Sequence, residues 1–363
     1  MNIAIFSPSR NPYSETFIQA HKKYLGGNVF YYYGTGINIQ LEGKNRLMPS
    51  GIYKFYRVYA KLFKKKSTYL WFKRLSYSLK HLKIDVVLVE YGTHAHHLYK
   101  VLKASKLPVI VHFHGYDASM NNVINACNNY KEVFKLASSV IAVSKAMERK
   151  LLTIGCPKEK LVYNVYGPQP EFESVKPTYS KSQFLTIGRF TDKKAPYYTI
   201  KAFAKFAKNN PEAKLLMAGN GVLLNTCKNL VKYHNLETQV KFLGIITPEE
   251  YRKLLEESLA LVQHSVTADD GDMEGTPLAV LEASVSGLPV VSTYHAGIPD
   301  VIIHGKTGLL CEEHDVDTMA NHMLNLINDL DYAKQLGDAG KKHITTHFNL
   351  KNHIDRLQKL LEV

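Results

Sequence analysis

The run Asp272-Met-Glu-Gly-Thr-Pro-Leu-Ala-Val-Leu-Glu-Ala-Ser-Val-Ser-Gly-Leu-Pro-Val-Val-Ser-Thr293 contains a turn, a helix and the strand after it. Pro277 suits a helix start, Gly287 a helix stop, and Pro289–Ser292 a buried strand, so the spacing predicts a helix over 277–286. Glu274 precedes that helix, and Glu282 lies eight positions later. Eight positions are a little over two turns, about 9 to 12 Å along the axis, which suits the two ends of one extended ligand. The helix N-terminus between them, from Thr276 to Ala279, offers amides and a favourable dipole to a diphosphate. The same spacing fits an acid that caps the helix and a second Glu that faces solvent.

Outward from this run, short β-branched or aromatic stretches alternate with amphipathic stretches of helix length, the arrangement that forces parallel strands with helical crossovers. Strands are expected at Asn2–Phe6, Val29–Tyr33, Asp85–Glu90, Pro108–Phe113 and Ser139–Val143. A second series is expected at Phe184–Ile187, Lys214–Ala218, Val240–Leu243, Ala260–His264, Pro289–Ser292 and Gly308–Cys311. The first series alternates with helices near Ser14–Leu25, Ile52–Leu82, His94–Ala104, Val123–Leu136 and Lys145–Ile154, the last capped by Ser144 and stopped by Gly155. Between the series, residues 167–180 carry three prolines and no periodicity, and read as a linker. The expected fold class is α/β, with two Rossmann-like doubly wound domains facing an interdomain cleft, over 1–170 and 171–345. A C-terminal helix over 346–363 is placed back against the first domain.

The chain has 363 residues, 45% hydrophobic and 21% charged, which suits two folded domains and excludes a disordered chain or a disulfide-stapled module. Cys127, Cys156, Cys227 and Cys311 stand far apart without a CxxC or Cys/His cluster, so a reducing cytosol fits and no structural zinc site is suggested. The apolar N-terminal run breaks at Pro8, and no stretch reaches the roughly 18 apolar residues of a membrane span, so neither a signal peptide nor a transmembrane helix is expected. Of 46 Lys/Arg and 32 Asp/Glu, 25 and 8 fall within residues 1–170, a net of +17 there and −3 in the remainder. An anionic partner is therefore expected on the first half alone.

Read together, the flanks of Glu274 and Glu282 resemble the signature of retaining nucleotide-sugar glycosyltransferases of family 4, which have the GT-B fold. The matching pieces are the E-x7-E pair, Gly287-Leu-Pro-Val-Val, Ala296-Gly-Ile-Pro-Asp-Val-Ile and Gly305-Lys-Thr-Gly-Leu-Leu, in order over most of 183–315. Upstream, Gly188-Arg-Phe-Thr-Asp-Lys-Lys-Ala195 is similar to the family's G-R-x4-K-G, with Ala195 in the last glycine's place, and Ala218-Gly-Asn-Gly221 to its glycine-rich turn. The resemblance implies that Glu282 holds the nucleotide ribose and Glu274 the donor sugar. Arg189 and Lys194 then stabilise the leaving diphosphate. Gly188, Gly219, Gly221, Gly275, Thr276, Leu278 and Ala279 line the donor, with Pro277 where the family often has glycine.

Val111-His-Phe-His-Gly-Tyr-Asp117 matches the family's H-G-x-D at His114, Gly115 and Asp117, which places His114 over the donor sugar. His112, two positions earlier, can point to the same side, while His94, His96 and His97 read as helix-surface residues. The family's glycine pair after the first strand is missing. In its place stand Ser7 to Ile18, whose Ser14-Glu-Thr-Phe-Ile18, with Ser265 to Gly275, resembles the colanic-acid-like exopolysaccharide branch. Asp270-Gly-Asp272 spells a metal-binding DxD, but the resemblance implies metal-independent catalysis, so no metal and no cofactor are expected; turn chemistry or acceptor contacts account for the pair.

Between Lys44 and Lys83 stand twelve basic residues and no acidic one, interleaved with aromatics and the only tryptophan. Lys64, Lys65, Lys66, Trp71, Lys73 and Arg74 are candidates for an anionic membrane surface. A pair of surface helices with an aromatic core face and solvated lysines fits the same residues, and no nucleic-acid motif accompanies them. The expected protein is a metal-independent, retaining hexosyltransferase that moves a sugar from a nucleotide-diphosphate sugar to a lipid-linked saccharide acceptor in bacterial exopolysaccharide, capsule or lipopolysaccharide assembly. It is expected in the cytoplasm, peripherally associated with the inner face of the cell membrane. An epimerase or phosphorylase on the same fold, or a non-catalytic polyanion- or membrane-binding protein, are the alternatives.

Overall fold

The computed structural model describes residues 1–10, 15–179 and 182–362. The chain divides into two units, one of Met1–Val143, Met147–Asn164 and Ile354–Val363, the other of Ser144–Ala146 and Val165–His353. The division falls at Asn164/Val165, ahead of the proline-rich 167–180.

The first unit holds a seven-stranded sheet of β1 (Asn2–Ser7), β2 (Asn28–Tyr33), β3 (Gln40–Leu41), β4 (Val86–Glu90), β5 (Val109–His112), β6 (Ser139–Ala142) and β7 (Leu161–Tyr163). Its order is β3-β2-β1-β4-β5-β6-β7, parallel throughout except for the antiparallel β2–β3 pair. Central strands such as β4 are buried on both faces, hence their unbroken run of valine and leucine. The chain's last helix, Leu350–Leu361, enters this unit, where Arg356 donates to the Tyr163 carbonyl (2.8 Å) and Gln358 accepts from the Gly26 amide (2.9 Å).

The second unit holds a six-stranded parallel sheet of β8 (Gln183–Ile187), β9 (Lys214–Ala218), β10 (Val240–Gly244), β11 (Ala260–Val262), β12 (Val290–Thr293) and β13 (Leu309–Cys311). The order is β10-β9-β8-β11-β12-β13, so the strand order reverses between β8 and β11. Loops that leave the carboxyl ends of those two strands diverge and open a crevice, the usual ligand position in a doubly wound sheet. Phe184, Phe203, Phe206, Met217 and Met319 pack the core beneath.

Three expectations are corrected. The helix expected over 52–82 is two, Ser50–Leu62 and Ser67–His81, because the chain turns at Phe63–Lys66, with Lys64 at φ 46°. The helix expected over 123–136 breaks at Asn128, Asn129 and Tyr130, all with left-handed backbone. Within 346–363 the chain ends one helix, Leu330–His347, before starting Leu350–Leu361. Among the described residues, no helix is long and apolar enough to cross a membrane.

Candidate active site

In the second unit, Glu274 lies on the loop from β11 to the helix Leu278–Val285. Facing it, the chain leaves β8 through Gly188 and exposed Arg189 and makes a tight turn at Asp192–Lys194. Lys194 Nζ lies 3.0 Å from Glu274 Oε2, and Lys193 Nζ lies 3.0 Å from Asp272 Oδ1 and donates to the Met273 carbonyl at 3.2 Å. Two consecutive lysines thus hold two alternate acids. Burial alone would raise the Glu274 pKa, but Lys194 and then Lys193 bring it down to about 2. Its Oε1 is buried without a hydrogen-bond partner among the described residues. Asp270 Oδ1 accepts the Asp272 amide at 2.9 Å, so Asp270-Gly-Asp272 forms a closed turn with one acid already ion-paired.

Glu282, one turn into the helix, is buried, and burial raises its pKa to about 7 against the opposing charge of Lys194. Gly275, Thr276 and Pro277 are buried ahead of half-buried Leu278 and Ala279 at the helix start. Gly219 and Gly221 let two loops touch: a Cβ on Gly219 would stand 1.9 Å from the Gly188 carbonyl oxygen, and one on Gly221 2.4 Å from that of Phe190. Behind the acid loop, His295 Nε2 accepts the Glu274 amide at 3.1 Å and its Nδ1 meets Glu313 Oε1 at 2.6 Å. An amide can only donate, so the ring hydrogen of the neutral imidazole sits on Nδ1 and points at Glu313.

In the first unit, His114 follows β5, buried against the rings of Phe17 (4.6 Å), Tyr91 (4.5 Å) and His112 (4.3 Å). Asp117 Oδ1 accepts the amides of His114 and Gly115 at 3.0 Å each, and its Oδ2 that of Gly92 at 2.8 Å, so the acid of H-G-x-D shapes the turn. Glu90, fully buried at the end of β4, meets His114 Nε2 at 2.8 Å and His21 Nδ1 at 2.7 Å. Burial would raise its pKa, but the charge of His21 and hydrogen bonds from His112, His114 and His21 hold it well below the usual carboxylate range. His21, Glu90 and His112 place ligand atoms within 4.8 Å of one another, a spacing open to a cation. The 2.7 and 2.8 Å contacts are hydrogen-bond lengths that a proton satisfies. His94, expected on a helix surface, is instead buried and its pKa falls to about 3 by burial, because its helix Gly92–Ser105 turns that side toward the sheet.

The basic segment is partly corrected. Lys64, Lys65 and Lys66 are exposed, but Trp71, Lys73 and Arg74 are half-buried. Trp71 buries its indole Nε1, Lys73 lies over the rings of Tyr56 and Tyr69 (5.3 and 5.5 Å), and Arg74 reaches the Ile37 carbonyl at 3.4 Å. Exposed apolar residues stand instead on the helix before: Ile52 (37%), Phe55 (66%), Val58 (58%) and Leu62 (73%), with Phe63 (58%) just beyond. At 3.6 residues per turn the four helical ones share an arc of about 120°. Exposed Lys54, Arg57 and Lys61 flank it, and Tyr53, Tyr56, Tyr59 and Ala60 turn inward.

The sequence reading missed Glu90, His21, Lys193, His295 and Glu313. Lys193 lies within the quoted Gly188–Ala195 motif and His295 adjoins one, whereas Glu90, at the end of β4, and His21, on the helix Thr16–Tyr24, stand 69 residues apart and carry no local signal. Ser14 and the start of Ser14-Glu-Thr-Phe-Ile18 lie outside the described residues; from Glu15 on, Glu15 Oε1 accepts from Tyr91 and Oε2 from Ser9 (2.7 and 3.1 Å).

Residues 169–343 match the family model for glycosyl transferases group 1, and residues 34–164 that for glycosyltransferase family 4. The chain belongs to the family 4 glycosyltransferases. The amylovoran biosynthesis glycosyltransferase AmsK of Erwinia amylovora is 31% identical to this family 4 chain over 267 residues, 72% of the chain and 65% of AmsK. The putative colanic acid biosynthesis glycosyltransferase WcaL of Salmonella typhimurium is 27% identical over 255 residues, 69% of the chain and 63% of WcaL. The chain therefore matches slightly less than two thirds of either relative's length. The crystal structure of Anabaena HepE in complex with UDP-glucose aligns with a TM-score of 0.79 at 15% identity, covering 100% of this chain and 99% of that one. The fold is GT-B, built from two Rossmann-like domains.

Proposed function

We propose that this family 4 chain is a glycosyltransferase of exopolysaccharide, capsule or lipopolysaccharide assembly that moves a hexose from a nucleotide-diphosphate sugar to a lipid-linked saccharide, with retention and without a metal. The observation that carries the reading is the Lys194–Glu274 pair at 3.0 Å, with the second Glu274 oxygen buried and without a hydrogen-bond partner among the described residues. An unsatisfied buried carboxylate oxygen costs stability unless a ligand hydroxyl donates to it, which is the task of a residue that holds the donor sugar. Lys194 and Arg189 neutralise charge as the diphosphate departs, and the amides of Leu278 and Ala279 face the same charge. Glu282 takes the ribose hydroxyls, and His114 a hydroxyl of the donor sugar or the incoming acceptor. A front-face attack, with a phosphate oxygen taking the acceptor proton, retains the anomeric configuration. Two further facts support the donor and pathway: HepE forms a complex with UDP-glucose, and AmsK is an amylovoran biosynthesis glycosyltransferase and WcaL a putative colanic acid biosynthesis glycosyltransferase. Metal independence is supported by Asp272, already paired with Lys193, and by the two cations that take the metal's place.

A lipid-linked acceptor calls for a protein at the inner face of the cell membrane, and the helix Ser50–Leu62 supports that by setting an exposed apolar stripe beside a basic one. The purified protein is screened for thermal stabilisation with UDP-, GDP- and ADP-sugars, where saturation at 100 times Kd adds about 2.7 kcal/mol. The stabilising donor should then release its nucleoside diphosphate slowly in water, and Glu274→Ala should abolish the release. Orthophosphate-dependent turnover would mark a phosphorylase instead, and no stabilisation by any sugar nucleotide would leave a binding protein.

A further inference from the structure

One carboxylate in the first unit is pinned on both oxygens by buried imidazoles. Glu90 Oε1 meets His21 Nδ1 at 2.7 Å and Oε2 meets His114 Nε2 at 2.8 Å, with His112 Nδ1 3.5 Å from the same Oε2. We propose that Glu90 is the positioning residue for His114, and that His21 fixes Glu90 in turn. The assignment rests on the role proposed above for His114.

Three observations carry it. The contact with Glu90 places the hydrogen of His114 on Nε2, so the imidazole plane and tautomer are set from beneath rather than by the substrate. Its flanks are set as well: Phe17 and Tyr91 pack on the ring at 4.6 and 4.5 Å, and the Tyr91 hydroxyl is held by Glu15 at 2.7 Å. Tyr91 also has a φ of 71°, a left-handed conformation that is costly for a bulky residue and is kept where the surrounding structure demands it. Finally, a fully buried carboxylate is retained only with counter-charge and hydrogen bonds, and among the described residues Glu90 meets them at His21 and His114, with the His112 ring 3.5 Å away. Plain core packing would be served better by an apolar residue among the valines and leucine of β4.

The test combines kinetics with nitrogen-15 spectra of the histidine rings in the full chain. Glu90→Gln keeps the shape and removes the charge; it should lower kcat about 10²-fold, the scale of a misplaced reacting group, and leave the donor KM within about twofold. The His114 Nε2 resonance should shift, and in the Glu90→Gln/His114→Ala double variant the two effects should fail to add, kcat falling no lower than in His114→Ala alone. If Glu90→Gln does not fold, His21→Asn serves: it loosens Oε1 only and should shift the same resonance and show the same non-additivity. Additive effects, or an unmoved His114 resonance, overturn the role of Glu90 and leave that of His114 standing. A shifted resonance with full turnover in His114→Ala instead overturns the reading of His114, and with it any part for Glu90 in the reaction.

Discussion

Glu274 and Glu282 belong to one short stretch of chain and yet their carboxyls are pushed in opposite directions from the ordinary carboxylate range. Burial raises the pKa of both; the difference is Lys194, which lies against Glu274 at 3.0 Å and is the lesser influence on Glu282. The E-x7-E spacing located both acids, but nothing local to them showed the difference, because the deciding cations arrive from the turn after β8. The imbalance has a measurable sign. The Glu282 pKa rises from 4.5 to about 7 on folding, so the folded state binds the proton more tightly. That assists folding relative to the ionised form below about pH 4.5 and is lost as pH climbs toward and past 7, where the buried charge opposes folding by about 3 kcal/mol at pH 8. Glu282→Gln should therefore raise the melting temperature at pH 8 and give little change at pH 4.5; an equal shift at both pH values would remove the buried carboxyl as the cause. At the leaving group, Arg189→Ala and Lys194→Ala should each lower turnover by roughly two to three orders of magnitude, the scale of one lost preorganised charge stabiliser. Unchanged turnover in both, with donor saturating, would exclude the diphosphate clamp.

Elements were legible where their side chains alternate or repeat and obscure where a few left-handed residues redirect the chain. Eleven strand runs could be placed because Val, Ile, Leu and Phe cluster in them, as in β1, β4 and β9. The edge strands β3, of two residues, and β7, of three, carry too little pattern to read. At Ala195, where the family has glycine, the backbone still takes φ 37°, so the turn that delivers Lys194 keeps its shape despite the side chain. The acid loop depends on an element that no motif announced, the His295–Glu313 pair behind the Glu274 amide. Losing that acceptor strands a backbone amide, a cost of about 1–3 kcal/mol charged to the conformation that receives the donor. His295→Ala should accordingly raise the donor KM about tenfold or more, while His295→Gln, whose amide oxygen can accept the same N–H, should recover part of it. Equal KM values in His295→Ala and the parent protein would detach the pair from the donor loop.

Across the whole molecule, charge is divided by unit, and the division was readable from composition alone: +17 over 1–170 against −3 over the rest. What composition could not give is which side chains of the basic segment face out. The tryptophan, the obvious anchor by residue type, buries its indole nitrogen, and the exposed apolar groups are Phe55, Val58, Leu62 and Phe63. A surface that binds lipid through both features should lose affinity by two separable routes. Neutralising Lys64, Lys65 and Lys66 removes about 1 kcal/mol each near an anionic surface, roughly a 10²-fold loss on phosphatidylserine or phosphatidylglycerol vesicles, and the loss should shrink in high salt. Phe55→Ser with Leu62→Ser removes about 1.5–3 kcal/mol for each side chain that enters the interface, and that loss should survive salt. Trp71 emission should change little on such vesicles, whereas Phe55→Trp in a Trp71→Phe background should shift blue. A blue shift of Trp71 in the parent protein, or vesicle binding indifferent to Phe55 and Leu62, would move the contact away from the helix Ser50–Leu62 and remove the physical support it gives to a lipid-linked acceptor.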